Sequence, residues 1–222
     1  MMGRKTGEPA EESFFLAVLL TITGGFLDAY TFCCRDHVFA NAQTGNIVQV
    51  GIAVAMRDYE HLIRYLIPIF AFSIGVFLAM AIKDRYVEGS PSVWRQRVLL
   101  VEMVVAGIVS AIPVGAAANV FANVLVSFLC VLQAESFRKV GGKVFASTMC
   151  TGNLRSGTEN LYHAITTKDS KFRKNAGQYF GIILTFIGGA AIGVCMSALF
   201  GEKAILVAEV PLIGALYFLS FP

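Results

Sequence analysis

VFANAQTGNIVQVGIAVAM, Val38–Met56, is apolar enough for a membrane yet carries Asn41, Gln43, Thr44, Asn46 and Gln49. A second stretch, Val144–Ile165, repeats the pattern with Thr148, Asn153, Arg155, Glu159 and Asn160. Neither suits lipid contact, because polar groups and loosened backbone at membrane depth are tolerated only where protein or a water-filled cavity covers them. Reading both as re-entrant or half-helix elements, rather than as spans, decides the fold.

The surrounding chain sets the solvent. Of 222 residues, 56% are hydrophobic and only 15% charged, with a mean hydropathy of +0.66, whereas soluble domains carry about a quarter charged residues. The chain therefore reads as an integral membrane protein. A net charge of +3, with no concentrated basic block, excludes nucleic-acid partners. Six apolar runs are long enough to cross a bilayer: Phe14–Cys33, Leu62–Ile82, Val98–Val114, Ala116–Phe137, Ala176–Phe200 and Ala204–Phe221. The first follows a polar lead bearing Arg4, Lys5, Glu8, Glu11 and Glu12; too long for a signal-peptide core, it is expected to stay as a signal anchor.

Positive charge favours the cytoplasmic side in short loops. If all eight apolar segments cross, Lys and Arg divide 8 against 9, with Arg155 inside a span. If the two interrupted segments return to their starting side, the division is 14 against 4, leaving Arg35, Arg57, Arg64 and Lys203 outside. Six spans with both termini cytoplasmic are therefore expected.

Self-similarity points the same way. Thr44-Gly45-Asn46 recurs as Thr151-Gly152-Asn153, 107 residues later, and the same offset pairs Phe14 with Phe121, Asp28 with Glu135, Glu102 with Glu209 and Gly107 with Gly214. In the middle span the offset slips to 114, pairing Ile69, Phe72 and Gly75 with Ile183, Phe186 and Gly189. The expected fold is all-α: a polytopic bundle of six transmembrane helices forming a 3+3 inverted repeat with two TGN elements. It is one membrane domain over 1–222, with repeat 1 at about 14–112 and repeat 2 at about 116–221. Three spans per repeat invert the halves, an architecture that recurs in transporters. Inversion would gather Asp28, Glu209 and the first TGN outside, and Glu102, Glu135 and the second TGN inside.

GGFLDAYTF (Gly24–Phe32), VFANAQTGN (Val38–Asn46) and STMCTGNLRS (Ser147–Ser156) resemble the YoaK family of bacterial membrane proteins, a domain-of-unknown-function family. The resemblance runs over essentially the whole chain. It implies a polytopic inner-membrane protein and no particular substrate.

The candidate substrate-binding residues are Thr44, Gly45, Asn46, Thr151, Gly152 and Asn153. Thr caps a helix, Gly permits close backbone approach, Asn offers a donor and an acceptor, and free amide N–H groups at a helix start attract an anion or a dipole. Their structural alternative is packing between the halves. The candidate coupling carboxylates are Asp28, Glu102, Glu135 and Glu209, since an ionisable group in a span is costly and is by default a functional hypothesis; Glu135 is equally readable as a headgroup-level partner of Arg138 and Lys139. Gly75 with Ala79, and Gly189 with Gly193, have the spacing of close helix packing, within the chain or in a homodimer. Lys168–Lys174 reads as a positive loop touching anionic lipid, and His37, His61 and His163 as interfacial.

No metal or cofactor is expected. Cys33, Cys34, Cys130, Cys150 and Cys195 form no CxxC pair and read as small core hydrophobes. Gly141-Gly142-Lys143 lacks the rest of a phosphate-binding loop, and neither HExxH nor GxSxG occurs. No enzyme is expected; a membrane-embedded one would have to use Thr44 or Thr151. The function read from the sequence is a transporter or channel for a small solute or ion, with proton or cation coupling through the carboxylates, and a non-transporting scaffold or accessory subunit as the alternative.

Overall fold

The computed structural model describes residues 12–85, 91–140, 143–144 and 150–221. The polar lead before Glu12, the Gly141-Gly142 pair and Ser147–Met149 of the second signature lie outside them. Helix α1, Phe14–Cys34, starts where the Ser13 side chain accepts the Phe15 N–H. Its 21 residues give about 31 Å of helix, the thickness of a hydrocarbon core. Helix α2, Gln43–Met56, has 14 residues and at about 21 Å is too short to cross. It is followed by α3, Tyr59–Arg85, and by α4, Pro91–Ser110, where proline occupies the first turn that needs no N–H donor. Helix α5 is Ala116–Ser136, and a small antiparallel pair, β1 Lys139–Val140 and β2 Lys143–Val144, leads towards α6, Cys150–Thr167. Then come α7, Ser170–Phe200, a 3-10 stretch, Gly201–Ala208, and α8, Glu209–Ser220.

Among the described residues four helical stretches are long and apolar enough to cross a membrane: Phe14–Cys34, Tyr59–Asp84, Ala116–Ser136 and the continuous Ser170–Ser220. The last includes the 3-10 stretch, at which α7 gives way to α8. Helix α4 is as long as a span but carries Arg95, Arg97 and Glu102.

The turns after α2 and α6 are built alike. Arg57 and Lys168 are both left-handed, each with φ 56°, and the aspartate that follows each one caps the next helix: Asp58 accepts the His61 N–H at 3.1 Å and Asp169 the Lys171 N–H at 2.7 Å. Only the aspartate is identical between the two turns; the basic residues differ, and the spacing has slipped by four from the offset of 107.

Helix α1 packs most extensively on α7, and α5 on α3; α4 packs on α5, and α8 on α1. Exchanging the first four helices for the last four turns each of these pairings into another on the same roll. The α1–α7 contact is backbone against backbone. A Cβ on Gly193 would sit 2.8 Å from the Phe26 carbonyl oxygen and 2.9 Å from Ala29 Cβ, and one on Gly189 would strike the Ile22 backbone. Because Ile22 and Phe26 meet Gly189 and Gly193 in the same order, the two helices run parallel. The expected small-residue packing is therefore within the chain at this pair. At α3–α5 the approach is looser: a Cβ on Gly75 would meet side chains, Phe128 at 3.3 Å and Val131 at 3.4 Å.

One core cluster joins Leu16, Leu20, Leu99, Val131, Leu212 and Leu219 of α1, α4, α5 and α8; another joins Phe26, Tyr30, Val109, Val126, Cys130 and Ile205. Phe70, Ile74 and Phe77 of α3, and Leu184, Ile187 and Leu199 of α7, are exposed, as befits helices whose outer faces meet lipid.

Candidate functional site

After α1 the chain doubles back on it. The Asp28 carboxylate Oδ1 accepts the backbone N–H of Asn41 at 3.0 Å and of Ala42 at 3.3 Å, and Thr31 Oγ1 accepts that of Ala40 at 3.3 Å. These three N–H groups lead into α2, so its N-terminus is held at the depth of Asp28, two turns inside the end of α1. The local cause is readable: a helix start leaves N–H groups without intrahelical partners, and a carboxylate is the strongest acceptor for them.

Within the first signature, Asn46 is buried and brackets the returning segment. Its Nδ2 donates to the Phe39 carbonyl at 2.6 Å and to Gln43 Oε1 at 2.9 Å, while its Oδ1 accepts the Phe39 N–H at 3.3 Å. Thr44 is exposed and Gly45 is half-buried. The second signature repeats the disposition: Thr151 and Gly152 are exposed, Asn153 is buried, and α6 begins one residue before the threonine just as α2 does. A Cβ on Gly152 would meet none of the described residues within 4 Å, whereas one on Gly45 would meet the Phe39 ring at 3.0 Å.

The four carboxylates separate. Asp28 and Glu102 are buried; Glu135 and Glu209 are partly exposed. Asp28 lies close enough to Cys150, beside the second TGN, to act electrostatically on its thiol, and Asp28 and Glu102 both act on the buried Cys130. The returning loop carries the start of α2 down to Asp28. Glu135 instead faces Arg138 Nη1 at 3.4 Å, the headgroup-level alternative that its position allows. Glu209 sits in the first turn of α8, where a carboxylate suits the helix dipole.

Arg35 is the residue that sequence reasoning misplaced. Counted as an outer-loop cation, it is completely buried and donates to the α4 C-terminal carbonyls of Val109, Ile112 and Pro113, to Asn119 Oδ1 and to the Tyr30 hydroxyl, at 2.9 to 3.2 Å. Tyr30 in turn donates to the Glu202 carbonyl at 2.9 Å, and Asn123 Nδ2 to the Arg35 carbonyl at 2.9 Å. The guanidinium thus ties α1, α4, α5 and the 3-10 stretch together, its charge met by the negative end of α4. The available signal was its position, directly after the last residue of the apolar run that forms α1.

A cavity of about 210 Å³ opens between α2 and α3, lined by Gln49, Ile52, Ala53, Met56, Asp58, His61 and Tyr65; none of these belongs to a TGN signature. At its rim Asp58 Oδ2 and His61 Nδ1 are 2.7 Å apart. The His61 backbone N–H, with the imidazole beside it, holds the Asp58 carboxyl below its ordinary range.

A bundle with lipid-suited outer faces and a short helix held at its start by a buried carboxylate is what the comparisons with known proteins must account for. The profile of the family described as "Protein of unknown function (DUF1275)" matches residues 16–218. The chain belongs to the DUF1275 family. It is 25% identical over 187 residues to the UPF0700 transmembrane protein YoaK of Bacillus subtilis (strain 168), covering 81% of this chain and 82% of that protein. No solved structure matches. This DUF1275 protein is therefore a multi-pass membrane protein, and the resemblance seen in its TGN signatures is one of descent in a family.

Proposed function

We propose that the protein is a transporter for a small solute or ion. In this reading six spans surround two half-helices, α2 and α6, which start near the membrane midplane and run to opposite faces. The observation that carries it is the hold of Asp28 on the start of α2, which keeps a helix N-terminus inside the bundle, two turns below the end of α1. Interrupted helices whose N-termini meet at mid-depth are a recurring way to build a solute site, since their unpartnered N–H groups receive a dipole or an anion. The exchange-symmetric packing of α1 on α7 and α5 on α3, and the matching Arg57-Asp58 and Lys168-Asp169 turns, support an inverted 3+3 duplication. The 14 to 4 charge division supports cytoplasmic termini in an inner membrane. Thr44, Gly45, Thr151 and Gly152 border the site, while Asn46 and Asn153, both buried, brace it.

The test begins with access. In a background lacking the five native cysteines, Thr44→Cys and Thr151→Cys are exposed to a membrane-impermeant thiol reagent in right-side-out and inside-out vesicles. The reading expects position 44 to label from outside and position 151 from inside. Labelling of both from one side, or of neither, removes the inverted aqueous site. A panel of small solutes offered to dye-loaded proteoliposomes then reads flux directly. Opposite-sided labelling with no flux for any solute would leave the scaffold reading.

A further inference from the structure

Glu102 stands apart from every other acid of the described residues. It is 1% exposed, and its Oε1 accepts no hydrogen bond. No ion pair reaches it among the described residues. Asp28, by contrast, spends its carboxylate on the N-terminus of α2. The two acids paired with them by sequence offset have ordinary positions at the surface.

The groups around Glu102 do not supply a counter-charge. Helix α4 packs on α5, on the 3-10 stretch and on α8. From α5 comes the thiol of Cys130, which both Glu102 and Asp28 influence. The 3-10 stretch carries Glu202 and Lys203 and α8 carries Glu209, all at least partly exposed. Arg35, about two turns along α4 from Glu102, has its N–H groups taken by the Val109, Ile112 and Pro113 carbonyls, Asn119 and Tyr30. The inner face of α5 adds Ser127 Oγ and Asn123 Oδ1, buried without a hydrogen-bond partner one and two turns before Cys130.

We infer that Glu102 is a proton-binding site in the interior of the bundle, distinct in role from Asp28, which is a helix-holding acceptor. A carboxylate with Oε1 buried and without a donor, and with no cation paired to it among the described residues, is too costly to persist. A proton is the cation that the space around an enclosed single carboxyl admits. On opening of the α4–α5 packing, a water takes the proton from the carboxyl O–H and the carboxylate is hydrated; on closing, water returns it. The inference deepens the transport reading by naming the coupled ion, yet the site itself can be observed without any flux.

Infrared spectroscopy of the full-length protein in lipid nanodiscs at neutral pH tests it, with carbon-13 placed on glutamate in one sample and on aspartate in another. The expected result is a carbonyl stretch of a neutral carboxylic acid that shifts with glutamate labelling, does not shift with aspartate labelling, and is missing from Glu102→Gln. Absence of a glutamate-dependent band, or its persistence unchanged in Glu102→Gln, overturns the inference. Because glutamine is close in shape to the neutral acid, Glu102→Gln is expected to keep the wild-type Tm. Should Glu102→Gln fail to fold while Glu102→Asp folds and shows no neutral-acid band, Glu102 is an ionised structural partner and the inference falls. The labelling pattern at positions 44 and 151 is read separately, so failure of the transport reading and failure of the proton site are distinguishable.

Discussion

At the start of α2, Asp28 and Thr31 take three consecutive backbone N–H groups and Asn46 closes on Phe39 from both sides. At the start of α6, with the same Thr-Gly-Asn on the same helical positions, Thr151 and Gly152 stand open, and the acid at Asp28's offset, Glu135, pairs with Arg138. The long-helix contacts differ in the same sense: α1 meets α7 through backbone at Gly189 and Gly193, whereas α5 meets α3 through side chains at Gly75. Among the described residues, then, the first Thr-Gly-Asn is held by Asp28 and Thr31 from outside the signature, and the asparagine of each copy is buried. The lesson is that Thr-Gly-Asn specifies where a helix starts and which of its residues turns inward, while the hold on the first copy comes from residues such as Asp28.

The comparison breaks first at the acids. Asp28→Ala leaves two buried N–H groups without acceptors, at about 1–3 kcal/mol each, so a loss of about 2–6 kcal/mol is expected in unfolding titrations with a denaturing detergent. Glu135→Ala, removing a surface pair, should cost no more than about 1 kcal/mol. Equal losses would mean that the two halves are clamped alike. Asp28→Asn, which keeps one carbonyl acceptor, should fall between wild type and alanine.

Next come the glycines. Gly189→Ala forces a methyl group into the Ile22 backbone, which cannot rotate away, and should destabilise by about 3 kcal/mol; Gly75→Ala, facing flexible side chains, should change stability by less than about 1 kcal/mol. The same unfolding titration compares them, and a reversed order would contradict the parallel backbone contact of α1 with α7. Asn46→Ala is expected to cost about 1–3 kcal/mol through the unpaired Phe39 groups, and to increase proteolysis between Val38 and Gln43.

Smaller effects follow at the exposed pairs. Arg155 and Glu159 are 2.9 Å apart with side chains 81% and 56% exposed, so Arg155→Ala should shift stability by less than about 0.5 kcal/mol. Asp58 gives a pH signature. Its folded-state carboxyl is held below its ordinary value, so any stability it lends is present above that ordinary value and fades as pH falls through the folded one. Asp58→Asn should therefore flatten the acid limb of a Tm-against-pH curve slightly and leave neutral pH unchanged.

Much of the layout was legible in the sequence because lipid imposes it. The long apolar helices, the shortness of α2, and the burial of small residues at Gly189 and Gly193 all follow from length and side-chain size. Boundaries were less legible where polar residues sit inside a helix: α4 starts at Pro91 rather than Val98, taking in Arg95 and Arg97, because Arg95 donates to the Ser136 carbonyl at the end of α5 at 2.9 Å. The interior network was illegible for a general reason. Arg35 meets groups 74 to 84 residues away, and neither periodicity nor composition records which distant carbonyls a guanidinium will find. Likewise Asp28 was visible as an acid in a span, but its partners depend on the chain reversing after Arg35.

The 3-10 stretch from Gly201 to Ala208 is long for its kind, eight residues where three or four are usual. Its first carbonyls are pinned: Gly201 by the Cys34 thiol and Glu202 by the Tyr30 hydroxyl. At about 2.0 Å per residue it spans about 16 Å, and wound as an α-helix it would span about 12 Å. With the near end moored, that rewinding draws the far end in by about 4 Å and turns it by nearly half a revolution. As wound, the segment therefore sets the start of α8 about 4 Å farther from the Tyr30 anchor than an α-helical segment of the same eight residues would.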